Sequence, residues 1–273
     1  MTKKIFLILG VALLAAVLVV AQTQGGQHNG NQNGNGQNHG NGQGQGQGQG
    51  QGNGQGQGQG QGGQNAKGPG YGFNGGMTSL LESLPFEAVD AQEEQGLRLM
   101  REEEKLARDV YTALFETWKE PIFQNISRSE QRHMDAIKTI LNKYSLQDPV
   151  TVDTPGIFSD QNLQNLYFQL VQSGSVSLIE AMKVGALIED LDIYDLKNAL
   201  GQTDNQDIKI LYQNLMKGSR NHLRSFGYQL NRLGATYAAQ HLTQADVDGI
   251  LNTPMERGLL DENGEQLYGS SGW

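Results

Sequence analysis

The chain has 273 residues, a formal net charge of −9 and no cysteine, which excludes disulfides, thiolate zinc sites and iron–sulfur clusters. Because the first 75 residues contain no Asp or Glu, all 29 acidic residues lie in the remainder of the chain, together with 17 of the 20 Lys and Arg residues. An acidic region of this kind, without a Lys/Arg-rich run, argues against nucleic-acid binding and favours metal cations as partners.

The N-terminus has the pattern of a secretory signal. Two lysines precede an apolar run over residues 5–20, and small residues suited to signal-peptidase cleavage end at Ala21. We therefore predict a cleaved signal peptide over residues 1–21 and a secreted, periplasmic or cell-envelope protein. An uncleaved membrane anchor is the alternative, because the run is only a little shorter than the roughly 17 to 25 residues that span a bilayer.

Residues 22–75 consist almost entirely of Gly, Gln and Asn, with a Gly-Gln repeat over residues 42–64. With almost no apolar side chains to bury, this segment has nothing to offset the entropy of an ordered chain, and it is predicted to be disordered. A flexible spacer is its simplest interpretation. Two alternatives are a self-associating Gln/Asn-rich segment and a tract that itself carries the function, with the folded module as its cap.

The remainder of the chain has the pattern of helices. Residues 76–240 form the predicted helical module, and residues 241–273 form a short helix and a tail. Asp90 with Glu93 three residues later is a capping-box pattern, and Pro121 ends the first long helix. Since no stretch shows sustained apolar–polar alternation, the module is predicted to be all-α. The predicted helices span residues 90–119, 125–144, 160–172, 177–200, 205–233 and 243–251.

Ionisable side chains occupy the apolar faces of the first two long helices. Glu130 and His133 fall in the middle of an apolar stripe, and Glu104 lies seven residues from an apolar or aromatic neighbour on either side. Burying unpaired charge costs several kcal/mol, so these side chains need a partner, and a metal ion is the simplest partner for carboxylates and imidazole. For Glu104 taken alone, an exposed ion pair with Arg108 at i+4 is an alternative.

The second half of the module repeats this arrangement. Glu189 shares a face with apolar residues of the third long helix, and Asp192 lies one turn further on at the edge of that face. His222 lines up with apolar residues on the fourth long helix. The separation of Glu104 and His133 is 29 residues and that of Glu189 and His222 is 33, which indicates a helix pair used twice. Duplicated helix hairpins make four-helix bundles.

In ferritin-like bundles, two helices each supply one inward Glu and two others each supply a Glu-x-x-His motif to a carboxylate-bridged di-metal site. The sequence resembles that superfamily, and its rubrerythrin-like branch in particular. Glu104 has Ala and Tyr three and seven residues later, and Glu130 and His133 form a Glu-x-x-His motif. The stretch ending at Glu189 resembles the third metal helix. More closely, residues 84–226 resemble an uncharacterised prokaryotic ferritin-like family filed as a domain of unknown function, through the motifs LARDVY, SEQRHM, VGALIEDLDIYDL and SRNHLRSF.

One position departs from that pattern. Ser219 stands where the Glu-x-x-His motif ending at His222 requires Glu, so a bridging carboxylate is missing, and Asp192 is its candidate replacement. Glu and His ligands without thiolate suit iron, with Mn or Zn as alternatives, and the resemblance implies one or two ions. It identifies no catalytic residue. The metal ligands that it implies are Glu104, Glu130, His133, Glu189, Asp192 and His222.

Two functions are compatible with these residues. The first is an exported ferritin-like metalloprotein with iron-dependent oxidase or peroxidase activity. The second, suggested by Ser219, is a non-catalytic helical binding module with one metal ion or none. A homodimer is an open alternative, because ferritin-like bundles often pair through a helix face. Tyr111 and Tyr212 are expected to be core aromatics with hydrogen-bonded hydroxyls.

Overall fold

The computed structural model describes residues 73–267, with side chains described from residue 76 onward. The predicted signal peptide, the Gly/Gln/Asn-rich segment up to residue 72 and the tail from residue 268 lie outside the described residues. The described part is all-α, as the sequence predicts, apart from an isolated bridge between Leu260 and Gln266. Its helices are α1 (Phe73–Ser83), α2 (Ala91–Trp118), α3 (Pro121–Lys143), α4 (Gln161–Gly174), α5 (Leu178–Leu200), α6 (Gln206–Arg232) and α7 (Gln244–Leu251).

Local sequence signals determine where the helices begin and end. The Asp90 side chain accepts hydrogen bonds from the backbone N–H groups of Gln92 and Glu93. The Glu93 carboxylate in turn accepts the Asp90 N–H at 2.9 Å, which confirms the predicted capping box of α2. Ser177 caps α5 through its hydroxyl. At its other end α2 is closed by Lys119, which adopts a left-handed conformation with a φ of 55°.

Two helix starts differ from the sequence-based prediction. Helix α3 begins at Pro121, four residues early, because proline suits the first position of a helix, where its missing N–H costs no hydrogen bond. Helix α1 is not predicted at all, since Gly75 and Gly76 are poor helix formers. It forms nevertheless, with the side chains of Met77 and Leu81 fully buried against the rest of the protein.

The four long helices form a bundle. Helix α2 packs along α3, and α5 packs along α6; α2 also contacts α5 and α3 contacts α6, which joins the two hairpins. Helix α4 lies against α2 and α5, α1 lies against α3, and α7 lies against α6. Between residues 73 and 267, no helix has the length and apolar character needed to cross a membrane.

The interior of the bundle contains two hydrophobic clusters. The first includes Tyr111, Phe123 and Phe226, whose ring centroids lie 5.4 to 6.4 Å apart. The second includes Met100 and Ile137. Along α2, α3 and α6, several of the buried residues between the two clusters are ionisable or polar. The helices therefore bring carboxylates and imidazoles together in the middle of the bundle.

Candidate metal centre

Five ionisable side chains from the four long helices converge inside the bundle. They form two overlapping clusters, in each of which the potential ligand atoms lie within 4.8 Å of one another. The first cluster contains Glu104, Glu130 and His133, and the second contains Glu130, Glu189 and His222. His222 is 8% exposed and the other four side chains are 1% exposed. Glu130 belongs to both clusters and therefore lies between the other residues of the first cluster and those of the second.

Each carboxylate oxygen of Glu130 faces a different imidazole. Its Oε2 lies 2.8 Å from Nδ1 of His133, and its Oε1 lies 2.9 Å from Nδ1 of His222. Glu104 approaches His133 Nδ1 to 3.0 Å, and Glu189 approaches His222 Nδ1 to 3.4 Å. The two clusters therefore have the same composition. Each has one carboxylate and one imidazole of its own, and the two share the carboxylate of Glu130.

Several buried atoms of the centre have no hydrogen-bond partner within the described part of the chain. These atoms are Oε1 of Glu104, both carboxylate oxygens of Glu130 and Nδ1 of His222. The short contacts between Glu130 and the imidazoles are close ion pairs, but they lack the direction that a hydrogen bond requires. Since buried polar groups are nearly always hydrogen-bonded in native proteins, this arrangement is better suited to a cation between the groups than to the groups binding one another.

Two glycines allow close packing at and beside the centre. The rings of His133 and His222 stack with centroids 5.6 Å apart. A Cβ atom on Gly218 of α6 would lie only 2.5 Å from Cε1 and Nε2 of His133. A Cβ atom on Gly185 of α5 would lie 2.3 Å from the ring of Phe226. Each glycine precedes a candidate ligand on the same helix by four residues, so its missing side chain opens the bundle one turn away from that ligand.

A tyrosine hydroxyl positions Glu189. The hydroxyl of Tyr111 donates a hydrogen bond to Oε1 of Glu189 at 2.5 Å, which leaves the other carboxylate oxygen facing His222. This confirms that Tyr111 is a core aromatic with a hydrogen-bonded hydroxyl. Tyr212 is likewise a core aromatic, as predicted, but the expected hydrogen bond is wrong, because its hydroxyl has no hydrogen-bond partner among residues 73–267.

The pKa values of the side chains in the centre reflect the burial of carboxylates next to imidazoles. Burial raises the pKa of Glu104 to about 7, with His133 acting in the opposite direction. Burial disfavours the charged form of His133, but the carboxylates of Glu104 and Glu130 outweigh it and raise the pKa to about 9. Burial also disfavours a charged Glu130, yet His222 and His133 hold its pKa below the ordinary value. Metal ligation requires ionised carboxylates and neutral imidazoles, so a metal ion competes with protons for these groups.

The chain matches a family model over most of its helical part. Residues 93–254 match the model of the uncharacterized protein domain DUF2202, and this range contains all five side chains of the centre. The chain belongs to the DUF2202 family. The helical part of this DUF2202 protein therefore carries its candidate ligands inside the region that defines the family.

An archaeal protein is similar to this DUF2202 chain in sequence and in structure. The uncharacterized protein MJ0754 of Methanocaldococcus jannaschii is 49% identical over 183 residues, which are 67% of this chain and 99% of that protein. A crystal structure of hypothetical protein MJ0754 from Methanococcus jannaschii matches with a TM-score of 0.63 at 50% sequence identity. That match covers 64% of this chain and 99% of the solved chain, so the DUF2202 helical fold is shared with an experimental structure.

Asp192, the sixth predicted ligand, is not part of either cluster of the DUF2202 centre. It is buried beside the centre, where its Oδ2 accepts a hydrogen bond from the Ser219 hydroxyl at 3.2 Å. Burial, and after it the charges of Glu104 and Glu189, raise the pKa of Asp192 well above its ordinary range. Ser219 therefore supplies no carboxylate at the position where the family pattern has the bridging Glu. Its hydroxyl binds Asp192 instead.

The exposed ion pair considered for Glu104 is absent from the described residues, and that alternative is wrong. Glu104 is 1% exposed. The Arg108 guanidinium instead contacts Asp109 at 2.8 Å and Asp153 at 2.5 Å. Lys105 also pairs with Asp109, at 2.6 Å. The basic side chains that flank Glu104 therefore bind Asp109 of their own helix and, through Asp153 and the Thr154 carbonyl oxygen, the loop that follows α3, while Glu104 faces the centre.

Two further acids, which were not among the predicted ligands, are buried beside the DUF2202 centre. Glu103 on α2 is 4% exposed and Asp195 on α5 is 3% exposed. Burial, followed by the charges of Asp195 and Glu104, raises the pKa of Glu103 well above its ordinary range. Burial raises the pKa of Asp195 to about 6. The available sequence signal is helical spacing, because Asp195 lies one turn after Asp192 on the face that enters the bundle.

Proposed function

We propose that this DUF2202 protein is an exported, ferritin-like metalloprotein that binds iron and uses it in an oxidase- or peroxidase-type reaction. The observation that carries the proposal is the pair of overlapping clusters that share Glu130. Both Glu130 oxygens are buried without a hydrogen-bond partner in the described part of the chain. Carboxylate and imidazole donors without thiolate suit iron, and Mn or Zn are the alternatives.

The residues present fit one or two ions. Glu104, Glu130 and His133 would hold the first ion, and Glu130, Glu189 and His222 would hold the second. Glu130 would then be the bridge between them. Two helix pairs that supply ligands in this way resemble the ferritin-like di-metal architecture, which supports that part of the proposal. The signal-peptide pattern over residues 1–21 supports export.

The chain's own residues prepare the centre for redox chemistry. When bound, two ferrous ions can each supply one electron to O₂ or peroxide. The Tyr111 hydroxyl orients Glu189 through its hydrogen bond of 2.5 Å. Gly218 leaves the space that the His133 ring occupies. The hydrophobic clusters on either side of the centre keep bulk water away from it, which strengthens every electrostatic interaction inside.

Metal analysis of the full chain, purified aerobically with iron, tests the proposal. We expect one or two ions per chain in the wild type and a loss of metal in Glu130→Ala, because both clusters lose their shared ligand. Asp135→Ala is the matched control, since it removes an exposed carboxylate from the same helix and is expected to retain the metal. Trace metal in the wild type, unchanged by Glu130→Ala, would contradict the proposal.

A non-catalytic binding module with one ion or none is the second candidate function. It is favoured by Ser219, whose hydroxyl binds Asp192 and therefore supplies no bridging carboxylate. In this case the loaded protein keeps its metal but shows no change in the metal's oxidation state after O₂ or peroxide is added. Peroxide-dependent turnover that is abolished in His133→Ala would refute this candidate.

A further inference from the structure

The two clusters of the centre are built from different numbers of helices. Glu104 lies on α2, Glu130 and His133 both lie on α3, and these two helices pack along one another. The second cluster combines Glu130 of α3 with Glu189 of α5 and His222 of α6. Its geometry therefore depends on three helices from both hairpins, whereas the first cluster is contained within one hairpin.

The carboxylate and the imidazole are also closer together in the first cluster. Oε2 of Glu104 lies 3.0 Å from Nδ1 of His133, in hydrogen-bonding geometry. Oε2 of Glu189 lies 3.4 Å from Nδ1 of His222, and that nitrogen has no hydrogen-bond partner in the described part of the chain. The two side chains of the first cluster are therefore positioned by each other, and those of the second cluster are not.

The unshared carboxylates of the two clusters differ in how many oxygen atoms they can offer to an ion. The Tyr111 hydroxyl binds Oε1 of Glu189, so that only Oε2 of this carboxylate faces His222. Oε1 of Glu104 accepts no hydrogen bond from the described residues, so both oxygens of Glu104 are available. Carboxylates bind cations through one oxygen or through both, and the second mode gives the first cluster an additional bond to its ion.

The second cluster is also nearer to solvent. His222 is 8% exposed, whereas His133 is 1% exposed. Helix α3 has Glu130 three residues before His133, but α6 has Ser219 three residues before His222. Helix α6 therefore contributes one side chain to the clusters and α3 contributes two. An ion of the second cluster thus has solvent beside one of its ligands, on a helix that supplies no other ligand.

We propose that the two clusters hold their ions unequally. The ion of Glu104, Glu130 and His133 is retained, and the ion beside Glu189 and His222 exchanges with ions in solution. The inference rests on the proposed function, because it requires a centre that binds metal. Catalytic metal sites keep one coordination position open for the substrate, and the exchangeable ion provides it. A small neutral molecule such as O₂ or hydrogen peroxide therefore meets the centre at the second cluster.

Zinc release from the full chain tests this inequality. Zn²⁺ suits carboxylate and imidazole ligands and has no redox chemistry of its own. The zinc-loaded chain is mixed with an excess of a colorimetric chelator, whose absorbance gives the number of ions and the rate at which each leaves. We expect two ions in two phases of equal size, with rates that differ by about tenfold or more, the scale on which groups around a metal site change its affinity.

Two matched variants assign these phases to the clusters. His222→Gln is expected to lose the fast phase and to keep one slowly released ion. His133→Gln, the same substitution in the first cluster, is expected to lose the slow phase. His241→Gln changes a half-buried histidine outside both clusters and is the control, with wild-type release expected. Thermal unfolding verifies that each variant is folded, and the wild-type phases test the inequality without any variant.

Release of both wild-type ions at one rate overturns the inequality and leaves the proposed centre standing. A slow phase that survives in His133→Gln, or a folded His222→Gln chain that binds no ion, overturns it as well. A single wild-type ion that His222→Gln keeps and His133→Gln loses supports the inequality. A wild-type chain that binds no Zn²⁺ overturns the inequality together with the proposed centre.

Discussion

At the scale of single residues, the position of Glu130 determines the geometry of the centre. Its two oxygens face Nδ1 of His133 at 2.8 Å and Nδ1 of His222 at 2.9 Å. Without it, the two imidazoles lose a shared counter-charge, and the terminal carboxylates of Glu104 and Glu189 lose the group between them. Other residues around the centre hold its side chains in place, and their contributions can be measured one at a time.

Gly218→Ala is expected to displace the His133 ring, because the added methyl group would lie 2.5 Å from Cε1 and Nε2 of that ring. Displacing one ligand in this way is expected to lower metal affinity by about 10- to 100-fold, the usual effect of changes around a metal site. Titration of the full chain with metal measures the change. Gly249→Ala is the control, since nothing lies within 4 Å of a Cβ there. Equal affinity in the two variants would contradict the packing described for His133.

Tyr111→Phe removes the hydroxyl that donates to Glu189 at 2.5 Å. Because the substitution leaves a buried carboxylate oxygen without its hydrogen-bond partner, it is expected to lower the free energy of unfolding by about 1–3 kcal/mol. Urea denaturation measures this difference. Tyr228→Phe removes a tyrosine hydroxyl from a side chain that is 64% exposed, and it is expected to leave stability unchanged. A Tyr111→Phe protein as stable as this control would show that the hydrogen bond does not position Glu189.

Periodicity predicts that single residues face inward, but it does not predict their partners. The spacing places Glu104, Glu130 and His222 on apolar faces, and all three are buried. The pairing of Asp192 with Ser219 depends on how α5 and α6 pack, and one helix alone contains no information about that. Helical spacing also turns Glu103 partly inward, but it does not distinguish Glu103 from Glu104 as the ligand, and that choice depends on the family spacing.

At the scale of elements, the segment that follows α7 is held on α6 by polar contacts. The Asn214 side chain accepts the N–H of Leu260 at 2.9 Å and donates to its carbonyl oxygen at 2.8 Å. The Glu256 carboxylate accepts hydrogen bonds from Arg220 at 2.7 Å and from Arg224 at 3.0 Å. These arginines lie on the same helix as His222, so the segment packs on one of the helices that form the candidate centre.

Glu256→Gln is expected to loosen this segment, since glutamine cannot provide the charge that the two arginines bind. Burial disfavours a charged Glu256, but Arg220 and Arg224 outweigh it and hold its pKa below the ordinary value of 4.5. A carboxyl group with a lowered folded-state pKa contributes stability above its ordinary pKa and loses that contribution as the pH falls. Faster hydrogen exchange over residues 253–260 in the variant should therefore be clear at neutral pH and should shrink as the pH falls below 4.5.

The control for this prediction is Glu265→Gln, which changes an exposed acid in the same C-terminal region. It is expected to leave the exchange rates of residues 253–260 unchanged. Exchange in Glu256→Gln that equals the wild type at neutral pH, or a difference that grows towards acid pH, would contradict the role given to the two arginines.

The long helices follow from the sequence because capping residues and apolar stripes agree over their whole length. Ser177 and Asn205 precede α5 and α6 at the predicted positions. The start of α3 at Pro121 is harder to predict, since the same residue that ends one helix can begin the next. Helix α1 depends on tertiary burial of Met77 and Leu81, which overrides a poor local helix propensity.

At the scale of the whole molecule, buried acids lower the stability of the bundle unless a cation accompanies them. The centre alone contains three carboxyl groups that are 1% exposed, and Glu103, Asp192 and Asp195 beside it are at most 5% exposed. These acids lie on α2, α3 and α5, so three of the four long helices share the energetic cost of unbalanced buried charge. A bound ion is therefore expected to stabilise the fold as a whole.

Removal of metal with a chelator should accordingly lower the stability of the wild-type chain. A ligand present at 100 times its Kd stabilises the folded state by about 2.7 kcal/mol, and chelation should remove a contribution of that order. Calorimetry with and without chelator measures the shift. Glu130→Ala should show a much smaller shift, because it lacks the shared ligand. Identical shifts in both proteins, or none in the wild type, would contradict a stabilising metal at the centre.

Anomalous X-ray diffraction from crystals of the iron-loaded full chain tests the central claim most directly. We predict one or two anomalous peaks beside Glu130, at about 2.0–2.2 Å from carboxylate and imidazole ligand atoms. One peak would lie with Glu104 and His133, and the other with Glu189 and His222. Electron density showing no anomalous peak between these side chains, with the Glu130 oxygens bonded to water or to the imidazoles, would contradict it.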